Sequence, residues 1–247
     1  MSTPLLHASG ITKRFGALTV LQDVNLTLQA GEAVGVVGPN GAGKTTLMSV
    51  LTGAHPPSAG AVHFRGDDVS RMAAAERCRR GIVRTHQVPR PFGGMTVFEN
   101  AYVAASLAAD AQGGTLGQQD AFALATDALR LCGMLDLANR RADSLGLLDR
   151  KRLELARAVS TSPRLLLLDE IGGGLTDGEA DVLVEIIREL RRRQITIVWI
   201  EHIVHVLVQV AERLICMDAG RIIADGEPRA VMAHPEVVSA YLGGMPA

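Results

Sequence analysis

The segment Gly38-Pro39-Asn40-Gly41-Ala42-Gly43-Lys44-Thr45-Thr46 contains the residue types that hold a chain of phosphates. Its G-x-x-x-x-G-K-T pattern follows the apolar run 33–37 and precedes Leu47-Met48, so a strand should lead into it and a helix should begin near Gly43. Glycines let backbone N–H groups approach phosphate oxygens closely, and the helix start adds about half a positive charge. Lys44 reaches the outer phosphates, and Thr45 offers Mg2+ an oxygen. A second cluster, Asp169-Glu170, closes the run Arg164-Leu165-Leu166-Leu167-Leu168. A parallel strand delivers its last residues to the ligand edge of the sheet. There Asp169 can hold Mg2+ through water, while Glu170 polarises the water that attacks the terminal phosphate. Third comes His202, behind the run 195–201, where an imidazole can contact that same phosphate. His205, three residues on, would suggest a metal pair, but no further ligand cluster joins it, so the phosphate reading is preferred.

Such a site needs a sheet whose strand ends converge. Short strands are predicted at 5–8, 20–28 and 33–37, then at 60–64, with a helix over 71–79 and a strand over 81–85. From 96 to 161 the strand signal disappears. Ala and Leu recur there at helical spacing, as in Val97-Phe98-Ala101-Tyr102-Ala105, with a break at Gly113-Gly114, so the stretch reads as a helical insertion. Strands return at 165–168, 195–200, 213–217 and 221–224, with helices over 178–193 and from His202. Continuous apolar strands alternating with helices imply a mostly parallel sheet covered on both faces.

The chain has 247 residues, 47% hydrophobic and 21% charged, which is enough to bury a large core and excludes both a disordered chain and a stapled mini-protein. A net charge of −1 gives no general attraction to nucleic acid, and none is expected as a partner. Cys78, Cys132 and Cys216 form no CxxC pair and fit a reducing compartment. No leader pattern and no run approaching the roughly 18 apolar residues of a membrane span is found, so a cytosolic location is expected.

The three clusters in this order, with a helical insertion between the first and second, resemble ATP-binding cassette (ABC) ATPases over essentially the whole chain. The resemblance implies an α/β P-loop NTPase of RecA-like type with a mostly parallel sheet, an antiparallel β lobe and an inserted α-helical subdomain. The core lobe would comprise 1–87 and 162–247, and the helical subdomain about 88–161. ATP and Mg2+ are the implied cofactors. Phe15, in Lys13-Arg14-Phe15-Gly16, matches the aromatic that stacks on adenine, with a plain core role as its rival. Gln87, in Arg84-Thr85-His86-Gln87, matches the glutamine that senses Mg2+ and the transmembrane partner.

Within that family, Arg84-Thr85-His86-Gln87 followed by Met95-Thr96-Val97-Phe98-Glu99-Asn100 is similar to the branched-chain amino acid importers, as is the tail from Pro235 to Gly243. The implied function is the ATP-hydrolysing subunit of an importer for branched-chain amino acids or related amide and organic-acid solutes, at the cytoplasmic face of the membrane. Its partners would be transmembrane permease subunits, a second ATPase subunit and, indirectly, an extracytoplasmic solute-binding protein. A lipid or lipopolysaccharide exporter ATPase, a soluble cassette protein outside transport, and an ATP-binding regulator without turnover are the alternatives.

Two segments depart from the family pattern. Leu145-Gly146-Leu147-Leu148-Asp149 stands where L-S-G-G-Q is usual, so a serine hydroxyl and two glycines are replaced, and Asp149 is read as a cap of its own helix. In this family each signature faces the opposite subunit's phosphate loop, so a heterodimer with unequal sites is favoured over a homodimer. After the carboxylates, Ile171-Gly172-Gly173-Gly174 replaces a segment that usually opens with proline, and suggests a mobile loop. Asp177 is read either as the N-cap of the following helix or as a dimer contact.

Overall fold

The computed structural model describes residues 3–111 and 118–242, so the Gly113-Gly114 break and Gly243 lie outside it. Strands β1 (Leu6–Phe15) and β2 (Leu18–Leu28) form an antiparallel pair. After β3 (Ala33–Val37) and helix α1 (Lys44–Leu51), β4 (Ala59–Phe64) and β5 (Asp67–Asp68) complete a four-stranded sheet in the order β2-β1-β4-β5. β1 is ten residues long, well beyond the predicted 5–8. The alternation that marks a strand is broken at Gly10 (φ +62), where the register shifts: Leu6 and Ala8 are buried before it, Ile11 and Lys13 after it. A bulge moves the inward face by one residue and hides the periodicity.

Helix α2 (Ala74–Arg79) and strand β6 (Ile82–Arg84) follow, then helices α3 (Val97–Ala111), α4 (Gln118–Leu131) and α5 (Leu147–Ser160). These three pack on one another through small buried residues, among them Ala101, Ala105, Ala121 and Ala125. The chain then runs through β7 (Leu165–Asp169), α6 (Asp177–Arg192), β8 (Thr196–Ile200), α7 (Val204–Leu207), β9 (Arg213–Asp218), β10 (Arg221–Gly226), α8 (Pro228–Met232) and α9 (Pro235–Leu242).

The second sheet has the order β10-β9-β3-β8-β7-β6, parallel throughout except for the edge strand β10. Its inner strands β3, β7 and β8 are buried on both faces, which explains their nearly unbroken apolar runs. β7 divides its leucines between two cores: Leu166 and Leu168 join the one that includes α5 and α6, while Leu165 and Leu167 join the one that includes α1 and the antiparallel sheet. With β3, β6, β7 and β8 parallel, the segments that follow them emerge at one sheet edge, where the three chemical clusters lie.

The helix boundaries correct two capping assignments. Thr176, not Asp177, caps α6: its hydroxyl accepts from the Glu179 N–H, and the Glu179 carboxylate accepts from the Thr176 N–H, a closed capping box. Asp177 is the first helical residue. Gly146 is the N-cap of α5, and Asp149 lies inside the helix, paired with Arg152 at 3.0 Å. The helix expected from His202 is a single turn over Val204–Leu207.

Candidate nucleotide site

Residues 38–43 carry the chain from β3 into α1. Gly38 (φ +143) passes so close to β9 that a Cβ would stand 2.1 Å from the Met217 carbonyl oxygen, so no other residue fits there. Its N–H donates to the Tyr241 hydroxyl at 2.9 Å, which ties the C-terminal helix to the loop. The Ala42 N–H turns back onto the Pro39 carbonyl at 3.2 Å, the Ala42 carbonyl accepts from Gly220 at 3.0 Å, and Asn40 and Gly41 face solvent. Lys44 is buried, with Nζ donating to the carbonyls of Gly38 (2.7 Å) and Pro39 (3.0 Å). Burial pushes its ammonium below the usual lysine range, opposed first by the Glu170 charge. Thr45 and Thr46, in the first turn of α1, are exposed and half-buried respectively.

Asp169 closes β7 and Glu170 begins the turn beyond it. Glu170 has φ +48, a strained conformation for a residue with a side chain, and its N–H is held by the Ile200 carbonyl at 2.9 Å. Its carboxylate is gripped from two sides: Gln87 Nε2 donates to Oε2 at 2.6 Å, and His202 Nε2 lies 2.8 Å from Oε1. Asp169 is buried and takes the Arg84 guanidinium on Oδ2 at 2.5 Å.

Lys44 and Thr45 in the first turn of α1, and Gln87, Asp169, Glu170 and His202 at strand ends and the loops beyond them, thus lie at one sheet edge, with Glu170 bonded to both Gln87 and His202. Phe15 stands apart from the core: it is 43% exposed, edge-on to His55 with ring centres 5.3 Å apart, and Lys13 Nζ lies 4.9 Å from its ring centre. No group of three or more His, Cys, Asp or Glu side chains suited to a metal exists among the described residues, which leaves His205 without a ligand set.

Sequence reasoning missed four residues that structure this site. Arg84 was visible only as part of a motif, although a cation at the end of a buried strand needs an anion near it. Glu201, 2% exposed, accepts the Gly172 N–H at 2.5 Å, and burial pushes its carboxyl above the usual range. A Cβ on Gly172 would meet Glu201 Oε1 at 2.8 Å, so a side chain at the first glycine of the unusual triplet would push this carboxylate aside. Lys151 of α5 is buried in the field of Glu201 and Glu170, and desolvation lowers its pKa. Tyr241 had no local signal, because its partner Gly38 is 203 residues away.

A parallel sheet with a glycine loop feeding a helix after β3, and carboxylates at the end of β7 with β8 between the two strands, defines a P-loop NTPase. The profile of the ABC transporter family matches residues 21–172, and that of the branched-chain amino acid ATP-binding cassette transporter matches residues 221–246. The chain is 38% identical to the high-affinity branched-chain amino acid transport ATP-binding protein LivG of Escherichia coli, over 98% of this chain and 99% of that one. It is 35% identical to BraF of Pseudomonas aeruginosa over the same shares. A lipopolysaccharide export ATP-binding protein, LptB of Haemophilus influenzae, is 31% identical over 97% of each chain. A crystal structure of an ABC transporter cassette in its ADP conformation superposes with a TM-score of 0.86 at 30% identity, covering 98% of this chain and all of the other.

The chain belongs to the ABC transporter family. It is an ATP-binding and ATP-hydrolysing subunit, which implies membrane permease partners. No helix among the described residues is long and apolar enough to cross a membrane.

Proposed function

We propose that this chain powers a membrane importer of branched-chain amino acids or related small amide and organic-acid solutes. Its profile match at 221–246 and its identity with LivG and BraF support that substrate class. The observation that carries the catalytic reading is the Glu170 carboxylate clamped between Gln87 and His202 at the sheet edge that carries Lys44.

In this reading the ATP phosphates lie along 38–46, Lys44 neutralises the β and γ phosphates, and Phe15 stacks on adenine. Glu170 accepts a proton from water as the water oxygen bonds to the γ phosphorus, and the bond from that phosphorus to the β–γ bridging oxygen breaks to release ADP. Each carboxylate oxygen has two lone pairs, so Gln87 and His202 can hold Glu170 while leaving it free to accept that proton. The hydroxyl of Thr45, the amide oxygen of Gln87 and the carboxylate of Asp169 are hard oxygen donors and suit Mg2+. When bound, the metal would neutralise phosphate charge.

Residues 88–161 are read as a helical subdomain inserted between the core segments 1–87 and 162–247. We further read the functional unit as a heterodimer at the cytoplasmic face of the membrane, because Leu147 and Leu148 replace two glycines and remove room for close backbone approach to the partner's phosphates. An extracytoplasmic solute-binding protein would deliver the cargo.

Lys44→Ala should abolish ATP-dependent uptake of leucine into vesicles holding the assembled transporter, and Glu170→Gln should trap ATP in a closed dimer. A Gln variant that turns over at the normal rate refutes the base assignment.

A further inference from the structure

Arg84 closes β6, and its guanidinium reaches two elements at once. Nη2 donates to Asp169 Oδ2 at 2.5 Å, and Nη1 donates to Ser49 Oγ at 3.0 Å. Ser49 Oγ in turn donates to the carbonyl of Thr45 at 2.8 Å. One cation therefore ties the helix that carries Thr45 to the strand end that carries Asp169. The side chains of Arg84 and Asp169 are 13% and 6% exposed, so solvent screens their attraction little.

The grip is one-armed. Arg84 Nε is buried without an acceptor, and Asp169 Oδ1 accepts no hydrogen bond from the described residues. A bidentate pair would have used both carboxylate oxygens. Here one oxygen is committed to the arginine and the other remains available.

We propose that Arg84 is an internal cation with which Mg2+ competes at Asp169, so that this arginine sets the metal affinity of the nucleotide site. The inference rests on the assignment of Asp169 to Mg2+ made above. Two cations drawn to one carboxylate repel each other, and a guanidinium fixed by Ser49 cannot move far to relieve that repulsion. Mg2+ alone then binds weakly, and tight binding becomes conditional on nucleotide phosphates that supply further negative charge. Meanwhile the buried carboxylate keeps a counter-charge that a solitary buried anion would lack. Arg84 is a positioning residue, since it touches the metal's ligand and not the reacting atoms.

The test uses the full chain loaded with ADP, with Mn2+ as a spin probe whose free signal disappears on binding. Removing one unit charge a few ångströms from the metal should tighten Mn2+ binding at least about tenfold in Arg84→Met at an effective dielectric near ~20. Arg84→Lys keeps the charge and should stay near the parent affinity. A folded Met variant with unchanged or weaker Mn2+ binding overturns the proposal, as does a Lys variant that binds as tightly as the Met variant.

Should Arg84→Met fail to fold, nitrogen-15 side-chain spectra of the parent chain decide. The Arg84 Nη signal, assigned by its loss in Arg84→Lys, must shift when Mg2+ is added to the ADP complex, and a stationary signal refutes competition. Asp169→Asn separates the two layers of the argument. If it leaves Mn2+ affinity intact, the metal assignment of Asp169 fails, whatever Arg84 does.

Discussion

Replacing Arg77 by methionine should destabilise the protein strongly although the residue lies outside the nucleotide loop. Arg77 is fully buried, and its guanidinium donates to the carbonyls of Val50 (2.7 Å) and Leu51 (2.8 Å), the last two residues of α1, and to Ser70 (3.0 Å). It thus satisfies the Leu51 carbonyl, adds a second donor to the Val50 carbonyl that already accepts from the Gly53 N–H at 3.2 Å, and puts a positive charge at the negative end of the helix that begins at Lys44. Methionine keeps the apolar stem but leaves three buried carbonyls without this donor. A hydrogen bond to a charged group contributes about 1.5–3 kcal/mol, but removing the guanidinium also removes its own burial penalty. The bonds share one donor group and are not additive, so a net loss of about 3–4 kcal/mol is expected. With a urea slope of about 3 kcal/mol/M, the unfolding midpoint should fall by about 1 M. Arg80→Ala is the control: its pair with Asp67 is exposed, with side chains 44% and 69% accessible, and should shift the midpoint by less than about 0.3 M. An Arg77→Met midpoint within the range of that control would refute the capping argument.

Tyr241→Phe removes the acceptor of the Gly38 N–H and should cost about 1–2 kcal/mol in urea unfolding, a large effect for deleting one oxygen near the chain end. Phe15→Ala should weaken ATP binding about three- to tenfold by equilibrium titration while leaving the unfolding midpoint nearly unchanged, because the ring is 43% exposed and belongs to neither hydrophobic core. Glu179 accepts from the Thr176 N–H and hydroxyl, which hold its carboxyl below the usual range. A depressed folded-state pKa means that its stabilisation is present above the unfolded pKa and is lost as pH falls through the folded one. Glu179→Ala should therefore lower the melting temperature at pH 7, and the difference should shrink in acid below the usual glutamate range.

Local signals were readable wherever they serve both chemistry and backbone geometry. The loop 38–45 announced itself because Gly38 must be glycine to pass Met217 and Lys44 opens the helix that follows. The central strands were readable because burial on two faces leaves only apolar residues, as in β7. β1 was cut short because a bulge at Gly10 interrupts its alternation, and the Asp177 cap was displaced by one residue because Thr176 and Asp177 are both good caps. Arg84, Glu201 and Tyr241 were unreadable for a different reason. Each acts on a partner far away in the chain, at separations of 85, 29 and 203 residues, and only the fold brings those partners together.

The two departures from the family pattern also change meaning once they are seen in space. As sequence, the leucines at 147 and 148 and the glycines at 172–174 are separate losses, one of room at a helix start and one of rigidity after the carboxylates. In the structure the two segments meet: Leu147 Cδ2 lies 3.4 Å from where a Gly174 Cβ would stand, and Gly174 adopts φ +78. Bulk added at the start of α5 is thus faced by a turn without side chains, and that turn is pinned at Gly172 by Glu201, the residue before His202. The start of α5, the turn carrying Glu170 and the strand end carrying His202 form one packed unit. A substitution that restores glycine at 147 should therefore be felt at this chain's own Glu170 as well as at the partner's nucleotide, whereas one at 148, which packs on the core of α5 and α6 and does not share the Gly174 contact, should be felt mainly by the partner. Comparing the Leu147→Gly and Leu148→Gly variants for ATP turnover by the assembled transporter, with Lys44→Ala used to silence this chain's site, separates those two effects. Equal responses at both positions with this site silenced and active would refute the coupling.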